Sequence, residues 1–174
     1  MSEGDRKIRQ RLHARLTALF PANPFVQRLV ARAEAMGITF APSPVEEQWF
    51  YHPDDRTLYV WEPDLDDQSL SYLVVILAHE LGHAADFDNN PLHLHLTRGL
   101  HWSEVPLEIE IAAFVQGFRI LKELGIPISL DQYECMIAPA IAPIVRNRLE
   151  SYHLCCLLSP ADRTAGPMSA PAAS

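Results

Sequence analysis

Residues 67–87 constrain this chain more than any other stretch. Apolar side chains fall on nearly every face of the run, most densely from Tyr72 to Ala78. A surface helix carries one apolar stripe, whereas a helix that is apolar all round has to be covered by the rest of the protein. The acids Asp64, Asp66 and Asp67 suit its start, and Asn89-Asn90-Pro91 suits its end. In its second half the run is interrupted by His79, Glu80 and His83. Unpartnered polar groups in such a helix would be costly, so these three need a partner.

Their spacing says which partner. Residues four apart lie on one helix face, one turn apart. Two imidazoles so placed can reach one cation at ~2.0–2.1 Å each. Glu80 points about 100° away around the axis, beside the ion rather than at it. There it can take a proton from a water that a zinc ion has acidified toward pKa ~7. Gly82 leaves room for another backbone to come close.

A catalytic zinc needs a third protein ligand. The metzincin pattern requires Gly three residues after His83 and His six after. Asp86 and Asn89 stand there, so that class is excluded. His93, His95 and His101 fall in residues 92–103, read as a loop, and are expected to be ordinary loop histidines. Glu104, Glu108 and Glu110 open the next helix, about 104–123. On the helical wheel Glu104 and Glu108 share a sector with Gln116, Arg119, Lys122 and Glu123. Glu110 stands alone among Ala113, Phe114, Gly117, Phe118 and Leu121. Glu110 is therefore the expected third ligand, with Glu108 as the alternative. The small residues Ala113 and Gly117 would let the two helices approach. Asp86 either orients a ligand histidine from behind or faces water at the helix end.

His79-Glu-Leu-Gly-His83-Ala-x-Asp86, followed by Glu110-x-x-Ala113-aromatic-x-x-Gly117, resembles the gluzincin-type zinc peptidases. It is most similar to the small bacterial ImmA/IrrE-type metallopeptidases, over roughly residues 57–125. The resemblance implies that His79, His83 and Glu110 bind Zn2+ and that Glu80 is the general base. It implies hydrolysis of peptide bonds in a peptide or protein substrate. Members often carry Asn after the Ala of the second motif, where Phe114 stands here. An alignment beginning at Glu108 restores Phe114 but puts Ile111 and Val115 where small residues belong. Candidate transition-state donors are His101, Tyr133 and Tyr152. The strand around Tyr59 is a candidate edge on which an extended substrate could pair.

The implied fold is α+β and zincin-like: mainly helical, with a small mixed or antiparallel sheet packed on the helix of His79. The flanking sequence agrees. Ile8, Leu12, Leu16 and Leu19 mark an amphipathic helix over 6–19, and Asn23-Pro24 to Gly37 frame a second. A short strand at 38–40 precedes a hairpin of 48–52 and 57–61. Ser129 and Gln132 have capping-box spacing, and a last helix extends to about 157. Residues 1–158 read as one domain. The Ala/Pro/Ser-rich 159–174 reads as a disordered tail.

Charge and composition exclude other classes. A net charge of −8 opposes nucleic-acid binding. No apolar run is long enough for a bilayer. The first residues lack the apolar core of a signal peptide, and the three cysteines contain no CxxC pair. These features point to a cytoplasmic protein without a membrane partner; nothing in the sequence specifies an oligomeric state. Two other classes compete with the enzyme: a non-catalytic zincin-like regulatory or protein-binding module, and a structural zinc domain. The second would use four protein ligands and no base, and ranks last.

Overall fold

The computed structural model describes residues 3–101 and 104–151. Its described residues form a mixed α+β structure, mostly helical, with one small sheet. Helices α1 (Glu3–Leu19) and α2 (Pro24–Ala35) lead into strands β1 (Thr39–Pro42), β2 (Phe50–His52) and β3 (Thr57–Val60). A short α3 (Asp64–Asp67) precedes α4 (Leu70–Asn89) and α5 (Pro91–Thr97). Then come α6 (Leu107–Glu123), α7 (Leu130–Glu134) and α8 (Ala142–Ser151). No helix among the described residues is long and apolar enough to cross a membrane.

The sheet has the order β1-β3-β2, with β1 parallel and β2 antiparallel to β3. The hairpin expected from the sequence is the β2–β3 pair, held at Phe50↔Tyr59 by a ring stack with centroids 4.7 Å apart. The strand of Tyr59 is the central one, paired on both sides, so it offers no free edge to a substrate. That corrects the expectation from the sequence. The hairpin was visible there, but the parallel partner was not. Edge strand β2 lies against α4.

The buried run divides into two helices. Gln68 is extended (φ −90°, ψ 158°), and Ser69 caps α4 by accepting the Tyr72 amide at 3.2 Å. Asp64 is buried in α3 and accepts from Trp49 Nε1 (2.9 Å) and the Tyr72 hydroxyl (3.4 Å), so its carboxylate is occupied. Beyond α4, residues 91–97 are helical rather than loop. Asn90 ends one helix and caps the next, with Pro91 in the first turn where a missing N–H is harmless. Helix α6 starts at Leu107, later than expected, behind Pro106. Of the apolar positions marking α1, only Leu16 is buried. The expected extension of the last helix to 157, and the tail from 159, lie outside the described residues.

Helices α4 and α6 form the centre. Gly82 of α4 lies against the Ala113 backbone, where a Cβ would run into the carbonyl oxygen. Reciprocally, a Cβ on Gly117 would meet the Ala78 carbonyl oxygen at 2.7 Å. Small residues thus face backbone on both helices, the close approach that Gly82, Ala113 and Gly117 suggested. Arg56 ties the periphery on: its guanidinium holds Asp88 of α4 at 2.7 and 3.0 Å and donates to the Met36 carbonyl at 2.7 Å.

Candidate metal centre

His79, Glu80 and His83 are all buried on α4. The neighbouring α6 brings Glu110 to them. His79 Nε2 lies 3.4 Å from Glu110 Oε2, and His83 Nε2 lies 3.4 Å from Glu110 Oε1. One donor atom from each of the three residues falls within 4.8 Å of the others. A tetrahedral ion with bonds of ~2.0–2.2 Å separates its ligand atoms by about 3.4 Å. The two imidazole–carboxylate spacings, one to each oxygen of Glu110, are longer than a good N–H···O hydrogen bond and match that separation, and the three donor atoms stay within 4.8 Å of one another. The donor set of two imidazole nitrogens and one carboxylate therefore fits a metal ion. Glu110 remains 30% exposed, so the cluster opens to solvent on its side.

The walls are aromatic. Phe114 stacks on His79 with centroids 3.9 Å apart, and Phe87 lies 5.8 Å from the His83 ring. Nδ1 of both histidines is buried without a hydrogen-bond partner among the described residues. Packing, rather than a hydrogen bond from behind, sets the ring orientations. Burial drives the His83 pKa down to about 3, helped by neighbouring His79, with Glu110 opposing. Burial pushes the Glu110 carboxyl up. The imidazole of His79 at 3.4 Å and the charges of His83 and His79 outweigh that, leaving it below its ordinary value. Glu80 sits apart from the triad and accepts a hydrogen bond from the main chain of Tyr51 in β2. Burial raises its pKa to about 7; His79 opposes the rise, Glu110 adds to it and the Tyr51 bond opposes it.

Comparison with protein-family models, with curated proteins and with solved structures returned no match for this chain. The geometry therefore carries the functional argument.

Other sequence candidates are dispersed. Glu108 turns to the opposite flank of α6 and pairs with Arg148 of α8 at 2.7 Å. Tyr133 is fully buried and donates its hydroxyl to the Phe114 carbonyl at 2.8 Å. That bond commits its hydroxyl to the main chain of α6. His101 is exposed, with its main-chain N–H on Glu104. Tyr152 lies outside the described residues. Asp86 does not face water: it is buried and bonds His93 Nδ1 at 2.6 Å, rather than a ligand histidine. His93, read as an ordinary loop residue, is thus the helix-borne partner of a buried acid. His95 is exposed. Two clefts, of ≈ 430 and ≈ 530 Å³, lie away from the triad; Asp86, His93 and Arg119 line the larger.

Three contributors were missed from sequence: the Tyr51 main chain, the ring of Phe114 over His79, and His93. The signal for His93 was Asn90-Pro91, which starts a helix as readily as it ends one.

Proposed function

We propose that this protein is a zinc-dependent peptide hydrolase, with His79, His83 and Glu110 as ligands and Glu80 as general base. The observation that supports this most is the convergence of three donor atoms beside a buried carboxylate that is not one of them. Two imidazoles and one carboxylate are a three-ligand set of the kind that leaves zinc a position for water or substrate. When bound, the ion supplies an acidified water and a Lewis acid for the peptide carbonyl.

The chain's own residues do the rest. Glu80 accepts a proton and returns it to the leaving amine. Both transfers need a carboxylate that lies close to the metal ligands without being one of them, and buried Glu80 is so placed. The Tyr51 main chain holds the carboxylate in place, and Phe114 restricts the His79 ring. In this reading the fold is zincin-like.

The test is metal analysis of the purified protein, followed by digestion of denatured casein with chelator and then with zinc restored. About one equivalent of zinc and chelator-sensitive, zinc-restored cleavage are expected. A protein that takes up no metal overturns the reading. A second reading, a non-catalytic regulatory or protein-binding module, is favoured by the commitment of Tyr133 to the Phe114 carbonyl. Stoichiometric zinc with no cleavage of casein or a peptide library decides for it.

A further inference from the structure

The larger cleft, ≈ 530 Å³, is bounded by the end of α4 and by α5, α6 and α8, and none of His79, Glu80, His83 or Glu110 lines it. Its size is that of small-molecule pockets, about 300–1,000 Å³. Two of its charged groups cancel: Arg148 grips Glu108 with both terminal guanidinium nitrogens, each at 2.7 Å. Asp86 and Arg119 are left. The Asp86 side chain is only 7% exposed. Its Oδ2 is bonded to His93 Nδ1 at 2.6 Å, and its Oδ1 takes no hydrogen bond from any described residue. A carboxylate can only accept, so Nδ1 carries the proton and Nε2 of the neutral ring is left as a second acceptor. Nε2 also has no partner among the described residues. The unpaired polar atoms that are sealed from solvent lie elsewhere, in Arg32, Asp55, His79 and His83. The two acceptors therefore open on the cleft that their residues line. On α6, the exposed Arg119 guanidinium has no carboxylate partner among the described residues. It makes one long hydrogen bond, 3.4 Å, to Gln116 Oε1.

The cleft thus offers two acceptors at a buried anion, and a forked cationic donor that lacks an anion. A ligand with a single charge answers one of these and leaves the other; a ligand with an ammonium and a carboxylate answers both. We infer that this cleft binds a small zwitterion of the amino-acid class, free or as a dipeptide. Its ammonium donates to Asp86 Oδ1 and His93 Nε2, and its carboxylate meets the planar fork of Arg119. This is a second site, separate from the metal centre, and it stands whether or not the protein hydrolyses peptides.

The probes are L-alanine and L-alanyl-L-alanine, with ethylamine and propionate as the two halves of alanine that carry one charge each. The full chain is loaded with zinc and carries Glu80→Gln, so that the dipeptide is not cut. Its histidine rings are isotope-labelled for NMR, and the His93 signal is assigned by its loss in His93→Gln. At least one zwitterion should shift that signal saturably, and the tighter of the two gives the spacing of the charges. Ethylamine and propionate should each bind about tenfold or more weakly, the scale of one lost charge-assisted hydrogen-bonding group. Arg119→Gln, on an exposed position, should weaken the zwitterion by a similar factor and leave ethylamine unchanged. Asp86→Asn should weaken both. Circular dichroism checks each variant; if Asp86→Asn does not fold, Arg119→Gln and the two halves of alanine decide alone. No saturable shift with either zwitterion, a half that binds as tightly as the whole, or an affinity untouched by Arg119→Gln overturns the inference. So does a shift confined to the signals of His79 and His83, which would place the binding at the metal.

Discussion

Glu108 and Glu110 are two positions apart in the first turn of α6, yet they do different things. Glu110 reaches both imidazoles, whereas Glu108 is more than half exposed and tied to Arg148. Glu110→Ala should therefore abolish most zinc binding. Glu108→Ala should leave zinc uptake intact and cost no more than about 1 kcal/mol, the range of a surface ion pair. Zinc titration and urea unfolding of the two variants check this; loss of zinc in Glu108→Ala alone would reverse the assignment. Glu80 calls for a different expectation, because it is beside the cluster and not in it. Glu80→Gln should retain zinc and the fold while slowing hydrolysis by on the order of 10²-fold or more. Wild-type turnover by that variant would remove Glu80 from the chemistry.

At the scale of elements, the α4–α6 contact decides whether the ligands can meet at all. Alanine is intrinsically favoured over glycine inside a helix by about 1 kcal/mol. At Gly82 that gain is outweighed: the new methyl would press on the Ala113 carbonyl, with the Ala113 carbonyl carbon and Gly117 nitrogen both at 2.9 Å. Gly82→Ala should destabilise by roughly 1–3 kcal/mol, the usual cost of overpacking. It should also weaken zinc binding, since it drives Glu110 away from His79 and His83. Equal stability and equal zinc affinity in the variant would show that the helices are not in backbone contact. This contact was legible in the sequence, because Gly82, Ala113 and Gly117 are small residues at facing positions on apolar stripes. So were the hairpin and the phase of α6 that singles out Glu110. Helix α5 was not. Pro91-Leu-His-Leu-His-Leu-Thr97 alternates with period two and shows no helical stripe. It is helical because Asn90 and Pro91 start it and buried Asp86 grips His93. The parallel pairing of β1 with β3 was hidden for another reason: it depends on a crossover, and four residues of strand carry no mark of their partner.

For the molecule as a whole, burying the site without its ion sets a pH dependence of stability. Two opposed shifts govern it. Glu80 rises from the ordinary 4.5 to about 7, so its protonated form is favoured by folding. That stabilisation is fully present below about pH 4.5 and is lost as pH rises through about 7. His83 falls from 6.5 to about 3, so its neutral form is favoured. Its contribution is present above about pH 6.5 and is lost as pH falls toward about 3. Between about 4.5 and 6.5 the two slopes oppose each other. Below that window His83 is joined by Glu110 and by Asp88, whose carboxyl its hydrogen bonds with Arg56 hold below its ordinary value despite partial burial, and stability falls with acid. Above it only the Glu80 slope remains, and stability falls until Glu80 is ionised. The melting temperature of the chelator-treated protein should thus be nearly level from about pH 4.5 to 6.5 and decline on both sides. Zinc changes the alkaline arm. A cation beside Glu80 favours its ionised form, so binding releases a proton near pH 6, and affinity rises toward pH 7.5. Melting curves across pH with and without zinc, and calorimetry in two buffers of different ionisation enthalpy, measure both effects. A metal-free melting temperature that climbs steadily from pH 6.5 to 8, with no proton released on zinc binding, would mean that Glu80 is already ionised in the metal-free protein and is not held as the buried, protonated acid.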